Sequence, residues 1–183
     1  MDRPCRCGWC SLNNPLYIAY HDEEWGVPRH EDGALYELLL LEPFQAGLSW
    51  ETILNKREAF RAAFDGFDPV KVAAYGQEKI AALMQDQAIV RNRRKIEAAV
   101  VNAGIFLAIQ AEWGSFSRYI WHFTGGKTLY ETGRTHSDLS DRVSADLKRR
   151  GMKFIGTTTV YAYLQAIGVI YSHDAACFLY KQG

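Results

Sequence analysis

Apolar residues recur at spacings of three and four along most of this chain, which is the signature of helices with one buried face. Asp32 can cap a first long helix through Leu35, Leu38, Leu39 and Glu42, which Pro43 is expected to stop. After the connector FQAGL, Ser49 can cap a helix with the stripe Trp50, Ile53, Leu54 and Phe60. Asp68 and Pro69 make a favourable cap and first-position pair for a short helix toward Ala74. The segment 77–84 follows, then a tight turn around Asp86–Ala88 and a longer helix carrying Ile96, Val100, Ala103 and Leu107. Ser140 can cap a helix that ends in Lys148, Arg149 and Arg150 before Gly151. Thr157 or Thr158 opens another, with Val160, Tyr161, Leu164 and Ile167 inward and Gly168 at its end. TTTVYAY is β-branched enough for a strand, but no other segment alternates clearly enough to pair with it, so it reads as helix. A final helical turn holds His173 and Cys177. The pattern predicts one all-α domain over residues 1–183, free of repeats and linkers.

Composition narrows the function classes. Apolar residues make up 48% and charged residues 23% of the 183, the range of a globular protein with a substantial core. The 21 basic residues balance 21 acidic ones, which excludes coating of nucleic acid or membrane by bulk charge but not a local basic patch. The polar start MDRPCRCGWC lacks the apolar core of a signal peptide, and no run approaches 18 apolar residues. The expected setting is therefore the reducing bacterial cytosol, away from membranes, where cysteines bind metal or stay free rather than form disulfides.

Three patterns carry candidate chemistry. His173 and Cys177 lie four apart and can share one ion, with Cys7 and His21 completing a Cys2His2 set; Cys5 and Cys10 compete with Cys7 as ligands. The same spacing equally fits a solvated histidine beside a small core cysteine. Glu42 ends an apolar helix near Trp50, with Tyr17, Tyr20 and Trp25 upstream in PLYIAYHDEEW. A carboxylate among aromatic faces suits a flat cationic ligand, although a surface charge beside core aromatics would leave the same trace. Residues 86–95 hold Arg91, Arg93, Arg94 and Lys95 against Asp86 alone. After a helix and a tight turn, such a run can meet phosphates, with Lys148, Arg149 and Arg150 as a second cluster, or can be an ordinary solvated face. His21-Asp22-Glu23 also fits the H-x-E of zinc deaminases, but the cysteines precede it and the helix–strand alternation is missing, so that reading fails.

Taken in order, RCGW, PLYIAYHDEEWGVP, LEPFQAGLSWETILNKRE, FDPVKVA, IVRNRRKIEAAVVNA, KRRGMKFIGTTTVYAYLQAIG and HDAAC span nearly the whole chain and resemble the DNA-3-methyladenine glycosylase I family. QAGLSW and YIAYHDEEWG are the specific pieces. The resemblance implies a helix-hairpin-helix DNA glycosylase fold in which a structural zinc joins the N- and C-terminal segments through Cys7, His21, His173 and Cys177. It implies a base pocket of Glu42, Tyr20 and Trp50, with Tyr17 and Trp9 close by. Gly47 and Leu48 fall where the family pushes a wedge into the DNA stack, and Arg91, Arg93 and Lys95 fall on the hairpin that holds the backbone. The implied activity is release of 3-methyladenine, with 3-methylguanine as an open second substrate, from alkylated double-stranded DNA by a monomer without lyase activity. Pro43 departs from the small residue expected after Glu42. The competing class is a zinc-stabilised helical DNA-binding module without catalysis, which would share the hairpin and metal site but have no use for Glu42, Tyr20 and Trp50.

Overall fold

The computed structural model describes residues 4–182 and is mostly helical. At its centre lies α2 (Asp32–Gln45), whose residues from Leu35 to Phe44 are all buried. A helix apolar on every side must be enclosed, and α2 packs against α3 (Trp50–Asn55), α7 (Arg93–Trp113), α8 (Phe116–His122) and α10 (Thr157–Ala166). The remaining helices are α1 (Pro15–Ala19), α4 (Arg57–Ala63), α5 (Pro69–Ala73), α6 (Gln77–Gln85) and α9 (Asp138–Arg149). A single apolar core runs from Cys7 to Cys177 and so joins the two ends of the chain.

Several caps follow the sequence chemistry. Ser49 accepts from the Thr52 N–H, and Asp68 accepts from the N–H groups of Val70 and Lys71 with Pro69 in the first turn. The TTTVYAY segment is helical, and Val160, Tyr161, Leu164 and Ile167 are all buried.

Other expectations are corrected. Asp32 does not cap its own helix; its carboxylate accepts from the Phe116 and Ser117 N–H groups and so caps α8. Ser140 sits inside α9, where its Oγ accepts from the Ser137 N–H as half of a capping box; the cap is Ser137, so the helix begins three residues earlier than expected. Pro43 lies within α2, which continues to Gln45. Proline removes only its own N–H, and the carbonyls of Phe44 and Ala46 beyond it are taken by the Lys95 ammonium, so the last turn survives. On α7 the inward face is Ile96, Ala99, Ala103, Phe106 and Ile109, while Leu107 is only half-buried, because a 3.6-residue period drifts off a strict three-four stripe. That helix also has the length and hydropathy of a membrane span, which counting uninterrupted apolar runs did not register; here its apolar face is packed into the core.

The final helical turn is absent. His173 and Cys177 instead sit in a non-helical turn closed by the Cys177 N–H on the Asp174 carbonyl at 2.8 Å. Just before it, β2 (Ile170–Tyr171) pairs in parallel with β1 (Leu129–Tyr130), in register Leu129 to Ile170 and Tyr130 to Tyr171. Two residues are too few to show alternation, so this pairing left no trace in the pattern.

Gly168 closes α10 at φ +76°, and a Cβ there would lie 2.4 Å from the backbone of Val27 and Pro28. The segment it touches is tied to α10 by the Gly26 N–H on the Gln165 carbonyl and the Arg29 N–H on the Ile167 carbonyl, both at 3.0 Å. Gly168→Ala is therefore expected to cost about 3 kcal/mol, from left-handed strain plus overpacking. Denaturant unfolding measures it, and a loss under about 0.5 kcal/mol would contradict the close approach.

Candidate active site and metal cluster

Two neighbouring centres form where the chain ends meet α1, α2 and α10. Their hinge is a π-helical turn, Tyr20–Glu24, closed by the Trp25 N–H on the Tyr20 carbonyl at 2.8 Å. The wider turn buries two consecutive side chains in different places: Tyr20 lines a cavity, and His21 enters the metal cluster.

The cluster consists of Cys7, His21, His173 and Cys177, all buried, with one donor atom each and all four atoms within 4.8 Å of one another. For bonds of about 2.3 Å to sulfur and 2.0 Å to nitrogen, a tetrahedral ion holds sulfur and nitrogen roughly 3.5 Å apart. Cys7 Sγ lies 3.4 Å from His173 Nδ1, and Cys177 Sγ lies 3.5 Å from both His173 Nδ1 and His21 Nε2. The set therefore fits a metal ion in its donor chemistry and in its spacing. Burial pushes the Cys7 thiol up and the His173 imidazole down to about 4, so without a cation both groups are held neutral. The N–H groups of Asp174 and Leu179 point at Cys7 Sγ and Cys177 Sγ, at 3.3 and 3.4 Å. His21 Nδ1 meets Asp22 at 2.7 Å, and Arg6 grips the same carboxylate, which orients the ring from behind. Cys10 faces the Tyr17 carbonyl and Cys5 is exposed, so neither competes with Cys7.

The cavity has a volume of about 330 Å³, enough for one purine-sized ring. Glu42, Tyr20, Trp50, Tyr17 and Trp9, the set that the family resemblance implies, all line it. Trp9 is placed by the turn between Cys7 and Cys10, which sets its ring 5.4 Å from Tyr17, 4.8 Å from Trp25 and 5.2 Å from His21. Tyr20 and Trp50 approach at 5.4 Å.

Two glutamates of α2 show what is unusual about the floor. Glu37 is buried but accepts from Arg57 at 2.5 Å and from Arg61 at 2.9 Å. Glu42, one and a half turns on, is 4% exposed, and its Oε2 has no hydrogen-bond partner. Burial alone pushes its carboxyl up to about 8. Trp50 Nε1 is likewise buried without a partner. Unpaired buried polar atoms are costly, and here two of them belong to residues that line one cavity. Such a cavity can take a flat ring that donates hydrogen bonds and carries positive charge.

Near the end of α2, Gly47 takes φ +83° and turns the chain so that Leu48 stands 43% exposed, an apolar tip between two helices. The hairpin between α6 and α7 leaves Arg91 and Arg93 exposed, with Arg93 only loosely paired to Glu97. Lys95 is different. It is 6% exposed, and its ammonium donates to the Phe44 carbonyl at 2.9 Å and the Ala46 carbonyl at 2.6 Å, so it braces the Gly47–Leu48 turn instead of offering a free cation. The second basic cluster is partly neutralised, since Arg150 pairs with Glu112 and Asp146, and Arg149 with Asp146.

Trp25, Gln45, Arg134, Ala162, Gln165, Ser172 and Asp174 also line the cavity. Gln45 is the first residue of the QAGLSW motif. Trp25 belongs to the aromatic group already read in PLYIAYHDEEW, whereas the others come from α10 and from loops far along the chain, where no local spacing marks them.

A half-enclosed aromatic cavity with an acidic floor, set in a helical body, defines a protein that takes single flat bases out of water. The chain belongs to the methyladenine glycosylase family, whose model matches residues 9–180. It is 45% identical to DNA-3-methyladenine glycosylase 1 of Escherichia coli (strain K12) over 181 residues, covering 96% of each chain. A crystal structure of a 3-methyladenine DNA glycosylase I superposes with a TM-score of 0.92 at 42% identity, over 97% of this chain and 100% of that one. The Staphylococcus aureus 3-methyladenine DNA glycosylase I, whose structure addresses 3-methyladenine recognition, gives a TM-score of 0.91 at 38% identity over 97% of both chains.

Proposed function

We propose that this protein is a monofunctional DNA glycosylase that flips 3-methyladenine out of alkylated duplex DNA and releases it by hydrolysis. The observation that carries the reading is the buried, unpartnered carboxylate of Glu42 at the floor of an aromatic cavity of purine size. Family membership and close likeness to 3-methyladenine glycosylases support it.

An adenine methylated at N3 is cationic within the nucleotide, so its glycosidic bond is already weakened. Held protonated by burial, Glu42 gives up its proton when the cationic base enters, then accepts hydrogen bonds from the base edge and matches its positive charge. Tyr20 and Trp50 offer ring faces, which attract a cation more than a neutral ring. Trp9 and Tyr17 complete the wall and help exclude water from the base. Water then attacks C1′, the glycosidic electron pair leaves with N9, the base departs as neutral 3-methyladenine, and the proton lost by the attacking water passes to solvent. Unmodified adenine loses on both the carboxylate and the ring interactions, so discrimination follows charge.

Leu48 fills the gap left by the flipped nucleotide, and Arg91 and Arg93 hold the backbone at the hairpin. Lys95 acts through the Gly47–Leu48 turn that it braces. Cys7, His21, His173 and Cys177 would hold one zinc ion, which with four protein ligands supplies cohesion between the chain ends and no reactive water.

Incubating the protein with methylated duplex DNA and identifying the freed bases by chromatography tests the activity. 3-Methyladenine is the expected product, and no freed base would leave the non-catalytic DNA-binding module standing. Leu48→Ala is expected to slow release from duplex by roughly tenfold, the loss of one apolar wedge, while release from single strands changes little. An equal loss on both substrates would remove Leu48 from that role.

A further inference from the structure

We propose that Arg134 is a phosphate clamp at the mouth of the cavity, binding the phosphodiester that flanks the flipped nucleotide. This rests on the glycosylase reading of the same site and adds a residue to its substrate contacts.

The argument begins from a mismatch of charge. The cavity is floored by Glu42 and suits a cation, yet Arg134 also lines it, as the one basic residue to do so among the described residues. A guanidinium there would repel the base that Glu42 attracts, unless an anion that accompanies the substrate neutralises it.

No carboxylate of the protein does so. Among the described residues, no Asp or Glu oxygen lies within 4.0 Å of the Arg134 guanidinium. Two carboxylates of the same region are engaged elsewhere. Asp174, also in the cavity wall, accepts from the Gly8 N–H at 2.9 Å, and Glu131 accepts from the Tyr161 hydroxyl at 3.1 Å.

The backbone of the loop that carries this unpaired cation is tied at both ends. Arg134 is exposed in a loop that leaves the β1–β2 pairing, where the Glu131 N–H donates to the Tyr171 carbonyl at 3.1 Å. The loop bends at Gly133 with φ +68° and is fastened again by the Ser137 N–H on Ser140 Oγ at 2.9 Å. A short loop tied at both ends positions its arginine more firmly than a free surface tail would.

Substrate geometry supplies the anion. With the base in the cavity, the glycosidic bond keeps the deoxyribose at the mouth, and its two flanking phosphates are the only negative groups the nucleotide brings there. A planar guanidinium fork matches a phosphodiester in two parallel hydrogen bonds. Arg134 thereby grips the part of the substrate that every nucleotide shares, while Glu42 reads the part that the lesion changes.

The test uses a duplex carrying a tetrahydrofuran abasic site, which cannot be cleaved, titrated with wild type, Arg134→Gln and Arg134→Lys across a series of salt concentrations. Arg134→Gln is expected to weaken binding about tenfold, the loss of a charge-assisted hydrogen bond, and to reduce the slope of log K against log salt by about 0.9, the value of one phosphate. Arg134→Lys keeps the slope. Affinity for free 3-methyladenine, measured by calorimetry, stays within about twofold of wild type in both variants, because the free base has no phosphate. Unchanged duplex affinity and slope in Arg134→Gln, or a loss confined to the free base, overturns the clamp. Because nothing is cleaved in this comparison, its outcome reads separately from whether the wild type releases base.

Discussion

Glu42→Gln should make the protein more stable and nearly inactive. The folded chain holds the Glu42 proton more tightly than the unfolded chain, with the carboxyl pushed from its ordinary 4.5 up to about 8 by burial. Native protein therefore binds more protons than unfolded protein between those values, and stability falls as pH rises from about 4.5 to about 8, then levels off. Replacing the carboxyl with a neutral amide removes that loss, by an amount on the order of 3 kcal/mol at pH 8, or roughly 5–10 °C in melting temperature. At pH 4 the variant and wild type should melt nearly together. Activity moves the other way. A cationic base left facing an amide in a desolvated cavity loses its charge partner, and release of 3-methyladenine should drop by at least about 10²-fold. A variant less stable than wild type at pH 8, or one with normal base release, would contradict the account of the cavity floor.

Stripping the metal should have the second large effect. Four buried donor residues come from the two ends of the chain, Cys7 and His21 on one side and His173 and Cys177 on the other. Structural zinc sites contribute on the order of 10 kcal/mol to folding. Chelation is expected to lower the melting temperature by more than about 10 °C and to change tryptophan fluorescence, since Trp9 and Trp25 lie 5.2 and 4.8 Å from the rings of His21 and His173. Cys177→Ser should abolish stoichiometric zinc, whereas Cys5→Ser, at an exposed thiol outside the cluster, should retain it. Metal-free protein melting at the same temperature would refute the structural role.

The parts of this protein legible in its sequence are those encoded by neighbours along the chain. Ser49, Asp68 and the TTTVYAY helix follow from caps and periodicity that act within one turn, and the structure has them. Asp32 shows the limit: an acidic residue at the start of a helix looks like its own cap, but tertiary packing turned it onto α8. Pro43 looks like a stop by local rules, which do not include Lys95; that residue is distant in sequence and satisfies the carbonyls beyond the proline. The inward turn of Lys95 was hidden for the same reason, since RNRRK reads as one basic run until its partners are known.

The candidate site divides similarly. Cys7, His21, Glu42, Tyr20 and Trp50 stand in motifs specific enough to be recognised together. The residues that complete the cavity wall from the other side, Arg134, Gln165, Ser172 and Asp174, lie in loops and on α10 where single residues carry no pattern. The turn that replaces the expected final helix still brings His173 and Cys177 together, because a tight turn and a helix both place residues four apart on one side.

The central claim is that a buried, unpartnered carboxylate selects a damaged base by its charge. The most direct test compares binding of 3,9-dimethyladeninium, a fixed cation that stands in for the alkylated nucleotide's base, with neutral 9-methyladenine by calorimetry, in wild type and in Glu42→Gln. The account predicts that wild type prefers the cation by at least about 10²-fold and that the preference collapses to a few-fold in the variant. An equal preference in both proteins would contradict it.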